Sequence, residues 1–147
     1  MRAETPAASP PQNALAGPLT ACPPKAGLNG DVRPPGDKSI SHRALLLNAL
    51  GVGHAEVTGL LEGEDVLRTA AALNAMGAHI QRCADGVWTV DGVGVQGLAE
   101  PEDVLDMGNS GTAARLLAGA LAGLDGIACM TGDGSLRGRP MQRVIGP

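Results

Sequence analysis

Three short strings in this chain combine glycine with hydroxyl, amide or cationic side chains, and each stands where a helix is due to begin. The first is Pro35-Gly36-Asp37-Lys38-Ser39, with Arg43 one helical turn further on. Glycine lets the backbone approach a ligand, Ser39 can cap the helix, and a helix start presents unpaired N–H groups at the positive end of its dipole. Lys38 adds a full charge and Arg43 a planar fork, so the chemistry on offer is the grip of a phosphate or carboxylate. Alone, this string reads first as an ordinary serine cap beside a solvated lysine, and it lacks the GxxxxGK[ST] spacing of a Walker A loop. The second string, Gly108-Asn109-Ser110-Gly111-Thr112, is a nest of donors suited to an anion, or equally a strand-to-helix turn capped by Ser110 or Thr112. The third, GDGSLRGRPM from Gly132, sets Arg139 just ahead of Pro140, a residue suited to the first helical position; its plain alternative is a loop with solvated arginines. Each loop is expected after a strand and before a helix, so the three helix starts could converge on one polyanion. That convergence, rather than any single loop, carries the argument.

Other chemically capable residues are read more plainly. His42 lies one turn after Lys38, where packing or hydrogen bonding at a helix start outweighs a proton-shuttle role, and His54 and His79 fall in or beside expected strands. Glu62, Glu64 and Asp65 precede or open a helix, where acids favour the dipole, and are assigned to that role. No group of His, Cys and carboxylates has metal-ligand spacing, so no metal is expected. Cys22, Cys83 and Cys129 are an odd number without a CxxC pair, which points to a reducing cytosol.

The elements that must hold these loops are short. With 147 residues the chain can bury one modest core, and with 22 glycines and 11 prolines its turns should be frequent, as in alternating α/β architecture. Trp88 is the sole aromatic, so Ala, Leu, Val, Ile and Met must fill that core. Residues 1–27 are rich in Pro and Ala and read as a flexible leader, with order from 28 to 147. Helices are expected over 39–50 and 64–76, stopped by Gly51 and Gly77 as C′ residues, with an extended run over 54–58 between them. Strands over 78–83 and 87–90 should form a hairpin around Asp85-Gly86, and a first strand at 31–33 completes a β-α-β-α-β-β unit. The unit then restarts: GDKSISHRALLLNALG from Gly36 overlies GNSGTAARLLAGALAG from Gly108 at an offset of 72 residues, matching Arg43 to Arg115 and Gly51 to Gly123. A net charge of −4 without a basic face argues against nucleic acid, and no apolar run is long enough to span a membrane. The N-terminus also lacks the features of a secretory signal.

Four strings occur in order: PPGDKSISHRALLLNAL, GLLEGEDVLRTAAALNAMGA, DMGNSGTAARLLAGAL and TGDGSLRGRPM. Over residues 28–147 the chain resembles the 5-enolpyruvylshikimate-3-phosphate synthases, or 3-phosphoshikimate 1-carboxyvinyltransferases. The resemblance implies a transferase of aromatic amino acid biosynthesis on the shikimate pathway to chorismate. It would move the enolpyruvyl group of phosphoenolpyruvate to the 5-hydroxyl of shikimate 3-phosphate without cofactor or metal, as a cytoplasmic monomer when full length. By the same resemblance Lys38 contacts both substrates and is the catalytic candidate of this segment. Lys38, Ser39 and Arg43 would hold shikimate 3-phosphate; Lys38, Asn109, Gly111, Thr112 and Arg139 would hold phosphoenolpyruvate, with Arg115 a further family position. The implied fold is an inside-out barrel of β-α-β-α-β-β units around a pseudo-threefold axis, of which this chain holds about one and a half units as an N-terminal, truncated part. The residues that move protons would come from later family motifs, so the segment alone should be inactive. Two departures stand beside the second loop: Ser110 where many members carry Ala, and Leu116 where the best-known members carry Pro. Two rivals remain at this point, a non-catalytic anion-binding module and a relative of the UDP-N-acetylglucosamine enolpyruvyl transferase, whose motifs do not match GDKSISHR.

Overall fold

The computed structural model describes residues 29–146 together with Cys22 and Gly27. The expected leader over 1–27 therefore lies, apart from those two residues, outside the described part. Residues up to Arg33 form one unit and those from Pro34 onward another, and every element below belongs to the second.

Helix α1, Lys38–Leu50, is followed by strand β1, Val52–Val57, helix α2, Glu64–Ala75, and strands β2, His79–Arg82, and β3, Trp88–Val93. The three strands form one antiparallel sheet in the order β1-β3-β2. The β2–β3 connection turns through Asp85 and Gly86, at φ 57° and 71°, the left-handed pair that an Asp-Gly hairpin supplies. At the sheet's edge Asn74 of α2 stands in for a neighbouring strand: its Oδ1 accepts from the Ile80 N–H at 2.7 Å, and its Nδ2 donates to the Ile80 carbonyl at 2.9 Å. Helices α1 and α2 cover the face carrying Trp88 and Val90, and Leu45, Leu73 and Met76 fill the space between with no exposed surface. The second repeat runs β4, Leu105–Asp106, α3, Gly111–Leu121, β5, Met130–Thr131, and two one-turn helices, α4, Gly134–Arg137, and α5, Gln142–Ile145. Here β4 and β5 pair in parallel, and Met107 and Leu117 carry the core into this half. The two sheets are separate, and no barrel closes among the described residues.

The repeat shows in the order of elements, since α3 falls close to where α1 predicts it at the 72-residue offset. It is also broken in one place. The strand expected at 31–33 does not form, and residues 31–37 carry no regular structure. In the second copy the ladder uses the Leu105 N–H on the Cys129 carbonyl at 2.8 Å and the Met107 N–H on the Thr131 carbonyl at 2.9 Å. The counterpart of Met107 is Pro35, which has no N–H to give. The two helix stops also differ. Gly77 adopts φ 98° as a C′ glycine should. Gly51 is extended, at φ −75° and ψ 177°, and ends α1 by donating its N–H to the Leu47 and Asn48 carbonyls. Pro140 does not open a helix either: α5 starts at Gln142 with Met141 as its cap, and the extra turn α4 intervenes before Arg139.

Candidate functional site

Lys38 opens α1, and the segment before it is pressed into place. A Cβ on Gly36 would stand 2.1 Å from the Gly59 carbonyl oxygen and 2.8 Å from the Leu61 nitrogen, so only glycine lets the two backbones meet. Asp37, not Ser39, caps the helix, its Oδ1 accepting from the Ile40 N–H at 2.8 Å. Ser39 is already inside the first turn, where its carbonyl accepts from Arg43 Nη1 at 3.0 Å. The half-exposed Lys38 ammonium is ion-paired with Asp65 on the first turn of α2. One turn along both helices, His42 Nδ1 and Thr69 Oγ1 lie 2.7 Å apart in the interior. His42 is fully buried and its Nε2 has no partner among the described residues. Burial lowers its pKa below the ordinary imidazole value, the Lys38 charge adds to that, and Asp65 opposes it, so the ring is held neutral.

The second and third loops are bonded to each other. Ser110 is buried and caps α3, accepting from the Ala113 N–H at 3.2 Å. The Gly108 carbonyl accepts the Asp133 N–H at 2.8 Å, and Asn109 Nδ2 donates to Asp133 Oδ2 at 2.6 Å. Arg139 donates to the other end of the same amide, Asn109 Oδ1, and lies 3.4 Å from Ser135 Oγ. Asp133 also caps α4 through the Leu136 N–H at 2.7 Å. That backbone bond first, and the Asn109 amide second, hold its carboxyl below the usual carboxylate range. Arg115 donates to the Gly111 carbonyl at 3.1 Å and to the Pro140 carbonyl at 3.2 Å, tying α3 to the end of the third loop.

Between these loops and α2 lies a cleft of about 350 Å³ lined by Glu64, Asp65, Arg68, Asp106, Gly108, Asn109, Thr131, Gly132 and Asp133. Of the residues expected from sequence, Asn109 lines it. Arg139 reaches it through Asn109, and Lys38 touches it through Asp65. Gly111 is buried and Thr112 half-buried at the start of α3, while Ser39 and Arg43 are exposed on α1; none of these four lines the cleft. The first loop thus meets the other two through α2 rather than directly.

Four carboxylates share the cleft, and sequence reasoning undervalued them. Gly63 caps α2 without a side-chain bond. Besides facing the helix dipole, Asp65 pairs with Lys38 and Glu64 with Arg68, while Glu62 accepts from Arg82 Nε at 2.7 Å and Trp88 Nε1 at 3.1 Å. Arg68 and Asp106 were missed altogether. The Glu64/Arg68 spacing of four was a readable helix pair, but the contact across 38 residues to Asp106 leaves no sequence signal.

The arrangement sets Lys38 at a helix start and the Asn109 amide with Arg139 near a cleft that four carboxylates also line. The family described as EPSP synthase (3-phosphoshikimate 1-carboxyvinyltransferase) matches residues 23–147. The chain belongs to the EPSP synthase family. It is 68% identical over 124 residues to the 3-phosphoshikimate 1-carboxyvinyltransferase of Rhodospirillum rubrum, covering 82% of this chain and 28% of that protein. It is 65% identical over 126 residues to the protein of that name from Granulibacter bethesdensis, covering 84% of this chain and again 28% of the relative. The solved EPSP synthase from Acinetobacter baumannii superimposes with a TM-score of 0.71 at 50% identity, over 74% of this chain and 25% of that one. The chain therefore spans little more than a quarter of the length of these EPSP synthase relatives. Its mixed helix-and-sheet fold is that of the matching part of the family. Of the two departures noted above, Ser110 spends its hydroxyl on the α3 cap and Leu116 is half-buried beside the core. Among the described residues no helix is long and apolar enough to cross a membrane.

Proposed function

We propose that this chain supplies the anion-gripping part of a cytosolic, monomeric enzyme that transfers the enolpyruvyl group of phosphoenolpyruvate to the 5-hydroxyl of shikimate 3-phosphate. The observation that carries the reading is the bonded set Asn109, Asp133 and Arg139, linked across the cleft by α2 to the helix start that bears Lys38, in a chain of this family. In this reading Lys38, Ser39 and Arg43 receive shikimate 3-phosphate. Lys38, Asn109, Gly111, Thr112 and Arg139 receive phosphoenolpyruvate. The 5-hydroxyl oxygen gives up its proton to a base from the later family motifs and adds to the enol carbon while the methylene gains a proton, giving a tetrahedral ketal. The bond from that carbon to the phosphate oxygen then breaks and the new methyl loses a proton, restoring the double bond and releasing phosphate. Lys38 stabilises charge that develops on the phosphoenolpyruvate oxygens, and the arginine and amide groups hold both anions in register.

The test is phosphate release from the two substrates by the product of the complete reading frame, compared with Lys38→Met. Release that falls by about a hundredfold or more in the variant supports both the transferase reading and the role of Lys38. A folded product that binds either anion but releases no phosphate leaves the anion-binding module.

A further inference from the structure

Arg68 belongs to none of the three loops, yet it ties the first repeat to the second. From α2 its Nη1 donates to Asp106 Oδ2 at 2.7 Å and its Nη2 to Glu64 Oε1 at 3.2 Å. Asp106 is the last residue of β4, and its other oxygen accepts the Gly108 N–H at 2.9 Å. Gly108 turns the chain at φ 55°, and a Cβ there would stand 3.4 Å from Arg68 Nε. The next residue is Asn109, whose amide holds both Asp133 and Arg139. A continuous run of contacts therefore leads from α2 to the turn that presents Asn109. That turn needs outside support, because β4 and β5 contribute only two residues each to their ladder.

We infer that Arg68 and Asp106 are positioning residues for phosphoenolpyruvate: together they fix the Gly108 turn, and through it the placement of Asn109 and Arg139. The assignment rests on the substrate reading above and names two residues outside it. Both side chains are partly exposed, and ion pairs of that kind add little to global stability, so the effect belongs in local geometry and substrate affinity.

The experiment uses Arg68→Ala, Asp106→Ala and Asp106→Asn in the product of the complete reading frame. In Arg68→Ala and Asp106→Ala the KM for phosphoenolpyruvate should rise roughly tenfold, while the KM for shikimate 3-phosphate and the melting temperature stay near wild type. Asp106→Asn keeps an acceptor for the Gly108 N–H but loses the charge that holds Arg68, and should fall between. Amide hydrogen exchange at Gly108 and Asn109 should accelerate in Arg68→Ala, with α1 and α3 unaffected. Unchanged phosphoenolpyruvate KM in both alanine variants overturns the assignment, as does a parallel rise in both KM values with a lowered melting temperature. If wild type releases no phosphate, the substrate reading has failed and exchange alone decides. Acceleration confined to Gly108 and Asn109 then upholds the positioning role, and its absence overturns it.

Discussion

Gly111 shows how little room the second loop has. A Cβ there would lie 2.7 Å from Arg115 Nη1 and 2.9 Å from Arg139 Nη1, both at the ends of flexible side chains. Gly111→Ala should therefore leave α3 folded but push Arg139 aside, raising the KM for phosphoenolpyruvate several-fold with little change in melting temperature; steady-state kinetics and a thermal scan check both halves. Asp133→Ala removes the α4 cap and the partner of Asn109 at once, and should raise the same KM by more than Gly111→Ala does. Because Asp133 is held below the usual carboxylate range, it stays ionised across the neutral region. This contact should add no pH dependence to phosphoenolpyruvate KM between about pH 6 and 8, which a KM profile tests. At this scale local strings single out Lys38, Asn109 and Arg139, and the structure brings Asn109 to the cleft and the other two to it through a partner. Asp65 and Asp106 do not, since their meaning depends on partners brought close only by folding, 27 residues away at Lys38 and 38 away at Arg68.

Helices α1 and α2 are pinned by two rungs one turn apart, the exposed Lys38–Asp65 pair and the buried His42–Thr69 hydrogen bond. The buried rung is sensitive to acid. A pKa lowered on folding means that the unfolded chain takes up a proton first, so the stability His42 confers is whole above about pH 6.5 and declines as pH falls below it. His42→Asn can keep a bond to Thr69 without a titrating ring. In the complete gene product its melting temperature should fall less than wild type between about pH 7 and 5. His42→Ala leaves a cavity and strips Thr69 of its close partner, at a cost of about 2 kcal/mol or more by denaturant unfolding. The two longer helices were legible from the glycines after them, and the hairpin from Asp85-Gly86. The strand expected at 31–33 was a misreading of legible residues, since Pro34 and Pro35 directly after it have no N–H to give. Asp37 likewise took the cap because an acid one position before the helix outcompetes a serine inside it.

For the molecule as a whole, Ile40 and Leu47 stand two turns apart on one side of α1 and are 68% and 65% exposed. Val52, Val95 and Ile127 are exposed as well, so apolar surface is left uncovered in several places. Residues 28–147 expressed alone should therefore melt without a sharp transition and elute as aggregates; a cooperative melt with monomeric elution contradicts this. The repeat was the largest feature visible in the sequence, but the bonding between loops two and three emerged only in space. The ion pairs around the cleft have one more consequence. Lys38 has a carboxylate in place and Arg139 an amide oxygen, so an incoming anion at either gains the difference between itself and the internal partner rather than the full pull of a bare charge. Chloride or a single carboxylate gains almost nothing from that exchange. A ligand bearing several negative groups should outcompete such small anions only by engaging both cations at once, because the four carboxylates that line the cleft stay in place and oppose it.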